Sequence, residues 1–176
     1  MKIRNTKAVR LPEHVVPKRY KITLAPNLKK FIFTGEEEIF LTLEKPITEI
    51  TLHAAELTIT SAILHHGFSK LKSQNIAYDE KSETVTVSFG KTIQVRDAKL
   101  HLKFSGILND KMRGFYKSKY EIDGRQEYMA VTQFESTDAR RAIPSFDEPA
   151  KKAIFKTDTM SRHFPFSRSR PVPIFK

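Results

Sequence analysis

The feature that most constrains the fold of this chain is an alternation of apolar and polar side chains that recurs in several short segments. It runs through Tyr20–Leu24, Ile39–Leu43, Val85–Phe89 and Leu100–Phe104, with shorter stretches at 50–52 and 57–63. Successive side chains of a β-strand point to opposite faces, so each segment has one apolar and one polar face. The sequence therefore predicts a set of half-buried strands.

Turn-forming residues separate these segments. They occur at Pro26-Asn27, Lys45-Pro46, residues 78–82 and Asp123-Gly124. Short strands that recur about every ten residues are typical of antiparallel sandwiches and barrels. No segment before residue 135 has a sustained helical period. We therefore predict an all-β fold, in which antiparallel sheets pack as a sandwich or open barrel.

The C-terminal fifth of the chain has a different pattern. Residues Ser136–Ala142 predict one short helix, which Ser136 or Thr137 would cap and Pro144 would end. A short strand is predicted at Ala153–Phe155. Residues 157–176 contain three prolines and have no regular period, which predicts an irregular tail rich in proline and arginine.

Composition excludes several kinds of chemistry. The chain has no cysteine, so disulfides and thiol catalysis are excluded, and we expect a reducing, cytoplasmic location. None of the six histidines begins a His-Glu-x-x-His sequence, the spacing that places two zinc ligands on one helix face. We therefore predict no metal site and no catalytic residue in this chain. The longest apolar run is four residues, far below the roughly 20 of a membrane helix, and we predict no membrane partner.

The net charge of +11 raises the alternative of a nucleic-acid-binding domain. However, lysine and arginine are scattered along the chain, mostly singly or in pairs between apolar residues. A dispersed charge of this kind is typical of a solvated surface. We predict no nucleic-acid partner.

Polar residues are densest between Thr132 and Glu148. The segment Thr132–Glu135 is followed by two arginines and several acids. On composition alone, this pattern fits a salt-bridged loop. It also fits a recognition patch, in which a glutamate pairs with a cationic ligand group and a glutamine orients it.

Three segments between residues 114 and 149 carry a resemblance to a known family. They are Gly114–Tyr120 (GFYKSKY), Thr132–Glu135 with Asp138–Arg141 (TQFE and DARR), and Pro144–Pro149 (PSFDEP). In order and spacing they resemble the zinc aminopeptidase N family, the gluzincin metallo-aminopeptidases that include puromycin-sensitive aminopeptidase. The opening residues 11–20 also resemble the start of that family's N-terminal domain. The resemblance covers roughly residues 11–156.

The resemblance implies a fold and a role. It implies a large antiparallel, saddle-like β-domain that packs against a catalytic domain and forms one edge of its active-site cleft. Glu135 would bind the α-amino group of the peptide N-terminus, and Gln133 would line the pocket for the first side chain. Arg140, Arg141, Asp147 and Glu148 also match the family, and we interpret them as structural residues that hold the loop presenting Glu135.

The resemblance also implies what lies elsewhere. In the family, the Zn²⁺ ligands and the catalytic residues follow this domain, so we expect no cofactor in this chain and no hydrolysis by it alone. Ser145 stands where the family commonly has cysteine, and Lys151 where it commonly has an aromatic residue. Because the resemblance stops soon after Lys156, we interpret residues 1–156 as the domain, truncated or frameshifted at its end, and residues 157–176 as its tail. The alternative is a non-catalytic binding or scaffold module with the same fold.

Overall fold

A computed structural model describes residues 10–160 of the chain. Within this range the chain forms eleven β-strands and one 3-10 helix. The strands are β1 (Val15–Asn27), β2 (Ile32–Leu43), β3 (Ile47–His53), β4 (Leu57–His66), β5 (Ser69–Lys72), β6 (Asn75–Asp79), β7 (Thr84–Ile93), β8 (Asp97–Ile107), β9 (Gly114–Ile122), β10 (Arg125–Gln133) and β11 (Ile154–Thr159). The 3-10 helix spans Asp138–Arg141.

The strands form three sheets. The largest has six strands in the order β11-β1-β2-β8-β4-β5, a second has the order β3-β7-β6, and β9 and β10 form a separate two-stranded ribbon. All strand pairs are antiparallel except β1 and β11, which run parallel. The predicted all-β class with antiparallel sheets is therefore confirmed.

The core lies between the six-stranded and three-stranded sheets. Both sheets contribute to one hydrophobic cluster, with Ile39 and Leu100 from the larger sheet and Ile50 and Val87 from the smaller. Each of these four side chains is completely buried. Alternate residues of β2 and β8 enter this core, as the alternation in the sequence predicts.

The outer face of the six-stranded sheet is charged. Glu36 lies 3.5 Å from Lys103 Nζ and 2.7 Å from His101 Nε2. Glu38 contacts Lys99 and lies 3.7 Å from Lys21. Part of the positive charge of the chain is therefore neutralised on this face. In residues 10–160, no helix has the length and apolar character needed to cross a bilayer.

The helix and the tail differ in detail from the sequence predictions. The helix is a four-residue 3-10 helix, and Thr137 at its N-cap position makes no capping hydrogen bond through its side chain. The predicted strand at Ala153–Phe155 is present as β11, but it continues to Thr159, three residues past the boundary predicted at Lys156. The remainder of the predicted tail, residues 161–176, lies outside the described residues, and the domain boundary itself stays a prediction.

Glu37 is a charged residue in the hydrophobic core. It lies on the inner face of β2, between Ile22 of β1 and Leu102 of β8, and it is 1% exposed. Neither carboxylate oxygen has a hydrogen-bond partner within the described residues. Burial therefore raises the pKa of Glu37 well above its usual range, because a lone charge is poorly solvated in an apolar core.

Replacement of Glu37 by glutamine should change the pH dependence of stability. Because its folded-state pKa is raised, Glu37 keeps its proton in the folded state while the unfolded chain loses it above a pH of about 4.3. Stability should then fall as pH rises, by up to about 1.4 kcal/mol per pH unit, and Glu37→Gln should remove this loss. Urea unfolding of both proteins at several pH values between 5 and 8 measures the difference.

Glu36→Gln is the matched control on the opposite face of the same strand. Its hydrogen bond to His101, and then the charge of Lys103, lower the pKa of Glu36 despite some burial. Its stabilising contribution is therefore present at neutral pH and is lost as pH falls, opposite in sign to that of Glu37. Parallel pH profiles for the parent chain and Glu37→Gln would show that Glu37 is not buried as a neutral acid.

Candidate functional site

Gln133 and Glu135 lie at the base of the two-stranded ribbon. Gln133 ends β10 and pairs with Gly114 at the start of β9. Both Gln133 and Glu135 are exposed, whereas Phe134 between them is partly buried and packs against the core. The anchored phenylalanine therefore fixes the chain at a point where two polar side chains face solvent.

Backbone hydrogen bonds close the loop that follows. The amide of Asp138 donates to the carbonyl of Phe134 at 3.0 Å, and the amides of Ala142 and Ile143 both donate to the carbonyl of Ala139 at 2.9 and 3.0 Å. Ala142 and Ile143 are buried in the core. The 3-10 helix thus connects an exposed loop at its start to the core at its end.

Arg141 is bound by three acids, one from its own helix and two from distant parts of the chain. Its guanidinium lies 2.9 Å from Asp138, 2.7 Å from Glu56 and 2.5 Å from Glu83. Burial by itself lowers the pKa of Arg141, but the hydrogen bond to Asp138 and the charges of Glu83 and Glu56 raise it overall. The cation is therefore stabilised in place, and it links the helix to the β3–β4 and β6–β7 turns.

Arg140 forms a second set of contacts beside the first. Its guanidinium lies 3.3 Å from Glu83 and 3.1 Å from Asp147, and its carbonyl accepts the amide of Ala55 at 2.9 Å. The two arginine side chains are only 11% and 12% exposed. We call Arg140, Arg141 and their acidic partners the arginine cluster.

Gly114 allows the helix to approach the ribbon. It has a φ of +68°, and a Cβ atom added at this position would lie 2.6 Å from Cβ of Arg141, closer than side chains tolerate. A side chain at position 114 would therefore push the helix away from the base of the ribbon. The backbone conformation itself also favours glycine.

Residues after the helix return to the core and to the N-terminal segment. Ser145 and His53 exchange both backbone hydrogen bonds, at 2.8 and 2.9 Å, and the amide of Phe146 donates to the Tyr20 hydroxyl at 3.1 Å. Burial, and then the charge of Arg140, lower the pKa of His53, so this residue is neutral at pH 7. Burial also raises the pKa of Tyr20.

Glu148 and Lys151 hold the first described residues of the chain. Glu148 accepts the amide of Leu11 at 2.7 Å. Lys151 Nζ donates to three carbonyls, those of Pro12, Glu13 and Val15, at 3.1, 2.8 and 2.9 Å. All three donor positions of the ammonium are satisfied, so Lys151 has a structural role.

All four motif residues make structural contacts in the described part of the chain. Arg140, Arg141 and Asp147 join the arginine cluster that borders the loop. Glu148 holds Leu11 of the N-terminal segment instead of the loop that presents Glu135. At the other departure from the family, the buried Ser145 hydroxyl makes no hydrogen bond within the described residues.

Glu135 differs from the acids around it. Asp138, Glu83 and Glu56 each contact an arginine of the cluster, and Asp147 contacts Arg140. Within residues 10–160, Glu135 forms no ion pair. The arrangement thus leaves one exposed carboxylate, beside an exposed amide, on a loop that is fixed from behind.

Two open depressions lie away from this loop. One, of about 510 Å³, is lined by the β2–β3 and β7–β8 turns, and the other, of about 270 Å³, lies on the outer face of β11, β1 and β2. Gln133 and Glu135 line neither. The candidate site therefore lies outside both depressions, on exposed residues of the loop.

The donor set does not fit a zinc ion in the described part of the chain. Between residues 10 and 160, histidines, aspartates and glutamates do not converge in a group of three or more that could hold a metal. His101 and Glu36 are in contact, but they are two ligands on an open sheet face.

Sequence reasoning missed the partners of the arginines. Glu83 is 57 residues from Arg140 and 58 from Arg141, and no local pattern links them. The role of Gly114 was also missed, although a glycine beside a predicted ribbon could have suggested a close approach of another segment.

Comparison with known proteins agrees with this geometry. A family model described as the peptidase M1 N-terminal domain matches residues 16–164. The chain is 40% identical over 147 residues to Aminopeptidase M1-D of Oryza sativa subsp. japonica, covering 84% of this chain and 17% of that relative. It is 42% identical over 151 residues to Aminopeptidase M1 of Arabidopsis thaliana, covering 84% and 17%. It is 40% identical over 148 residues to the puromycin-sensitive aminopeptidase of Caenorhabditis elegans, covering 83% and 16%.

The match extends over both the sheets and the candidate site, from β1 through β11. The chain spans about one sixth of the length of the curated relatives it matches. The extent of the family match shows that this chain belongs to the M1 peptidase family, and that it corresponds to the N-terminal domain of that family.

Proposed function

We propose that this domain recognises the free N-terminus of a peptide for a zinc-dependent aminopeptidase. Glu135 binds the α-ammonium group, and Gln133 lines the pocket of the first side chain. The zinc ion and the catalytic residues belong to a catalytic domain that packs against the loop and supplies the opposing wall. We place this activity in the cytoplasm, in keeping with a chain that has no cysteine.

The observation that carries the proposal is the state of the Glu135 carboxylate. Neighbouring acids are neutralised by Arg140 and Arg141, whereas Glu135 is exposed and unpaired in the described structure. A peptide N-terminus is a small cation near neutral pH, since its pKa is about 7.7–8.0. A carboxylate without an internal partner is suited to bind it through a charge-assisted hydrogen bond.

The chemistry explains why such a residue is needed. An enzyme that removes one residue at a time must place the scissile bond at a fixed distance from the chain end, and a fixed anion provides this reference. In the open domain, water weakens the ion pair. An opposing surface that excludes water strengthens it.

The supports of the loop suit this positioning role. Phe134 anchors one end, the amide of Asp138 closes the turn, and Arg141 connects the helix to two other turns. A loop backbone held in this way loses little further conformational freedom when the ligand binds. The gain in affinity is correspondingly larger.

Replacement of Glu135 by alanine should reduce catalytic efficiency. The experiment uses a chimera in which residues 16–160 replace the matched segment of the Arabidopsis thaliana aminopeptidase. Loss of a charge-assisted contact should lower kcat/KM for peptides with a free N-terminus by about ten- to a hundredfold. Zinc content of the chimera should remain unchanged.

Glu127→Ala is the matched control, because Glu127 is an exposed glutamate of the same ribbon strand, away from its base. It should leave kcat/KM within about twofold of the parent chimera. An equally small effect of Glu135→Ala would remove the amine-recognition role and leave only the family assignment.

Gln133→Ala tests the second part of the proposal. If the amide lines the first side-chain pocket, its loss should change the ratio of kcat/KM values among peptides that differ only in their first residue. The same change should be smaller among peptides that differ only in their second residue. A uniform reduction across both series would argue for a general structural role of Gln133.

Gly114→Ala tests the need for close packing behind the loop. The added methyl group meets Arg141, so the helix must shift, and the free energy of unfolding of the chain should fall by about 1–3 kcal/mol. Gly124→Ala is the control, since Gly124 also has a positive φ, +71°, but nothing lies within 4 Å of the added carbon. Equal losses of stability in urea unfolding would show that only backbone strain is involved.

In the chimera, Gly114→Ala should also lower kcat/KM more than Gly124→Ala does.

A further inference from the structure

Strand β11 forms one edge of the six-stranded sheet. It pairs in parallel with β1, so that Arg19 lies opposite Ile154 and Leu24 opposite Thr159. All six of its residues are exposed, and within residues 10–160 no strand pairs with its other edge. A strand edge with unpaired backbone groups is a template for another strand.

The direction of each backbone group on β11 follows from one hydrogen bond. The amide of Met160, just beyond the strand, donates to the carbonyl of Leu24 at 2.8 Å. Backbone groups of successive residues in a strand point to opposite sides. The amides and carbonyls of Phe155, Thr157 and Thr159 therefore point away from β1, towards the unpaired edge.

We propose that this edge binds a second copy of the chain, through antiparallel pairing of β11 with the β11 of the partner about a two-fold axis at Thr157. In this register Thr157 faces the partner's Thr157, and Phe155 faces the partner's Thr159. These residues are the ones whose backbone groups point outward. They can form the closely spaced hydrogen-bonded pairs of an antiparallel ladder.

The charges of Lys156 and Asp158 favour this register over the neighbouring registers. Lys156 lies opposite the partner's Asp158, and Asp158 opposite the partner's Lys156, so two ion pairs form on one face. Backbone directions also allow registers centred on Phe155 or Thr159, but these pair fewer residues of β11. The remaining alternatives are centred on Lys156 or Asp158. Either one places a charged residue directly opposite its own copy, which is unfavourable. The strand is thus complementary to itself in a single register.

Apolar residues support the same register. Ile154 and Met160, which are 69% and 64% exposed, lie opposite each other at both ends of the outer face. On the inner face, Phe155 stacks on Tyr20 with ring centroids 4.5 Å apart and would lie beside the partner's Thr159. Each feature that is exposed on the edge therefore finds a matching partner in the second copy.

This self-complementarity favours a second copy over another protein. Edge strands that avoid association commonly carry charged side chains, especially lysine, and charges of one sign would repel across a two-fold axis. Here the opposite signs of Lys156 and Asp158, two residues apart on one face, convert that repulsion into attraction. Neither residue forms an ion pair within the described part of the chain.

Sedimentation equilibrium of the 176-residue chain and of charge variants tests the proposal. The parent chain should form a dimer. Lys156→Asp and Asp158→Lys should each raise the dimer Kd by about tenfold or more, because two attractive pairs become repulsive. An equimolar mixture of the two variants should restore association as a heterodimer, since every charge then faces its opposite.

Two further variants separate pairing from loss of fold. Thr157→Pro removes an amide that points to the unpaired edge and leaves the β1 pairing intact, so it should give a folded monomer. Lys152→Asp makes the same change of charge as Lys156→Asp at an exposed position outside β11, and it should leave the dimer unchanged.

A parent chain that stays monomeric at every soluble concentration would overturn the proposal. This is the result expected if residues 161–176 or another segment cover the edge. So would a dimer that tolerates Thr157→Pro and both charge reversals. Failure of the mixture to associate, when the parent dimerises, would show that the two strands do not pair in this register.

Discussion

The return of residues 145–159 to the N-terminal segment is the constraint on which the rest of the structure depends. Ser145 joins β3 through His53, Phe146 reaches Tyr20, Glu148 and Lys151 bind residues 11–15, and β11 then lies along β1. These contacts join segments more than 90 residues apart. They close the chain into one unit, at a high entropic cost that buried contacts must offset.

This closure determines where the candidate site can lie. The loop that carries Glu135 is held between the ribbon on one side and the returning segment on the other. The arginine cluster fills the junction, and its arginines are nearly buried. Removal of one partner from such a network costs far more than loss of a surface ion pair, because the remaining charge stays desolvated. The exposed carboxylate of Glu135 therefore lies on a loop that is held by Phe134 on one side and by the arginine cluster on the other.

Much of the fold could be predicted from alternation, because a strand that packs against the core places apolar residues at most of its alternate positions. The strands with a clean alternation, such as β2, β7 and β8, are those that enter the core. The short β5 and β6 and the ribbon strands β9 and β10 bury few side chains, and their sequences carry no comparable signal. The order β11-β1-β2-β8-β4-β5 depends on pairings distant in sequence, which periodicity cannot reveal.

The candidate site, like the order of the strands, depends on contacts that local sequence patterns do not reveal. A glutamate and a glutamine two residues apart are common in any sequence, and only the family resemblance distinguished Glu135 from its acidic neighbours. The structure supplies the physical difference that the sequence lacked, because it shows which acids are already neutralised by Arg140 and Arg141. Those pairings join Glu56, Glu83 and the helix across long sequence separations, so they could not be read from local spacing. The role proposed for Glu135 therefore depends on a property that exists only once the chain has folded, namely a carboxylate that forms no ion pair within residues 10–160.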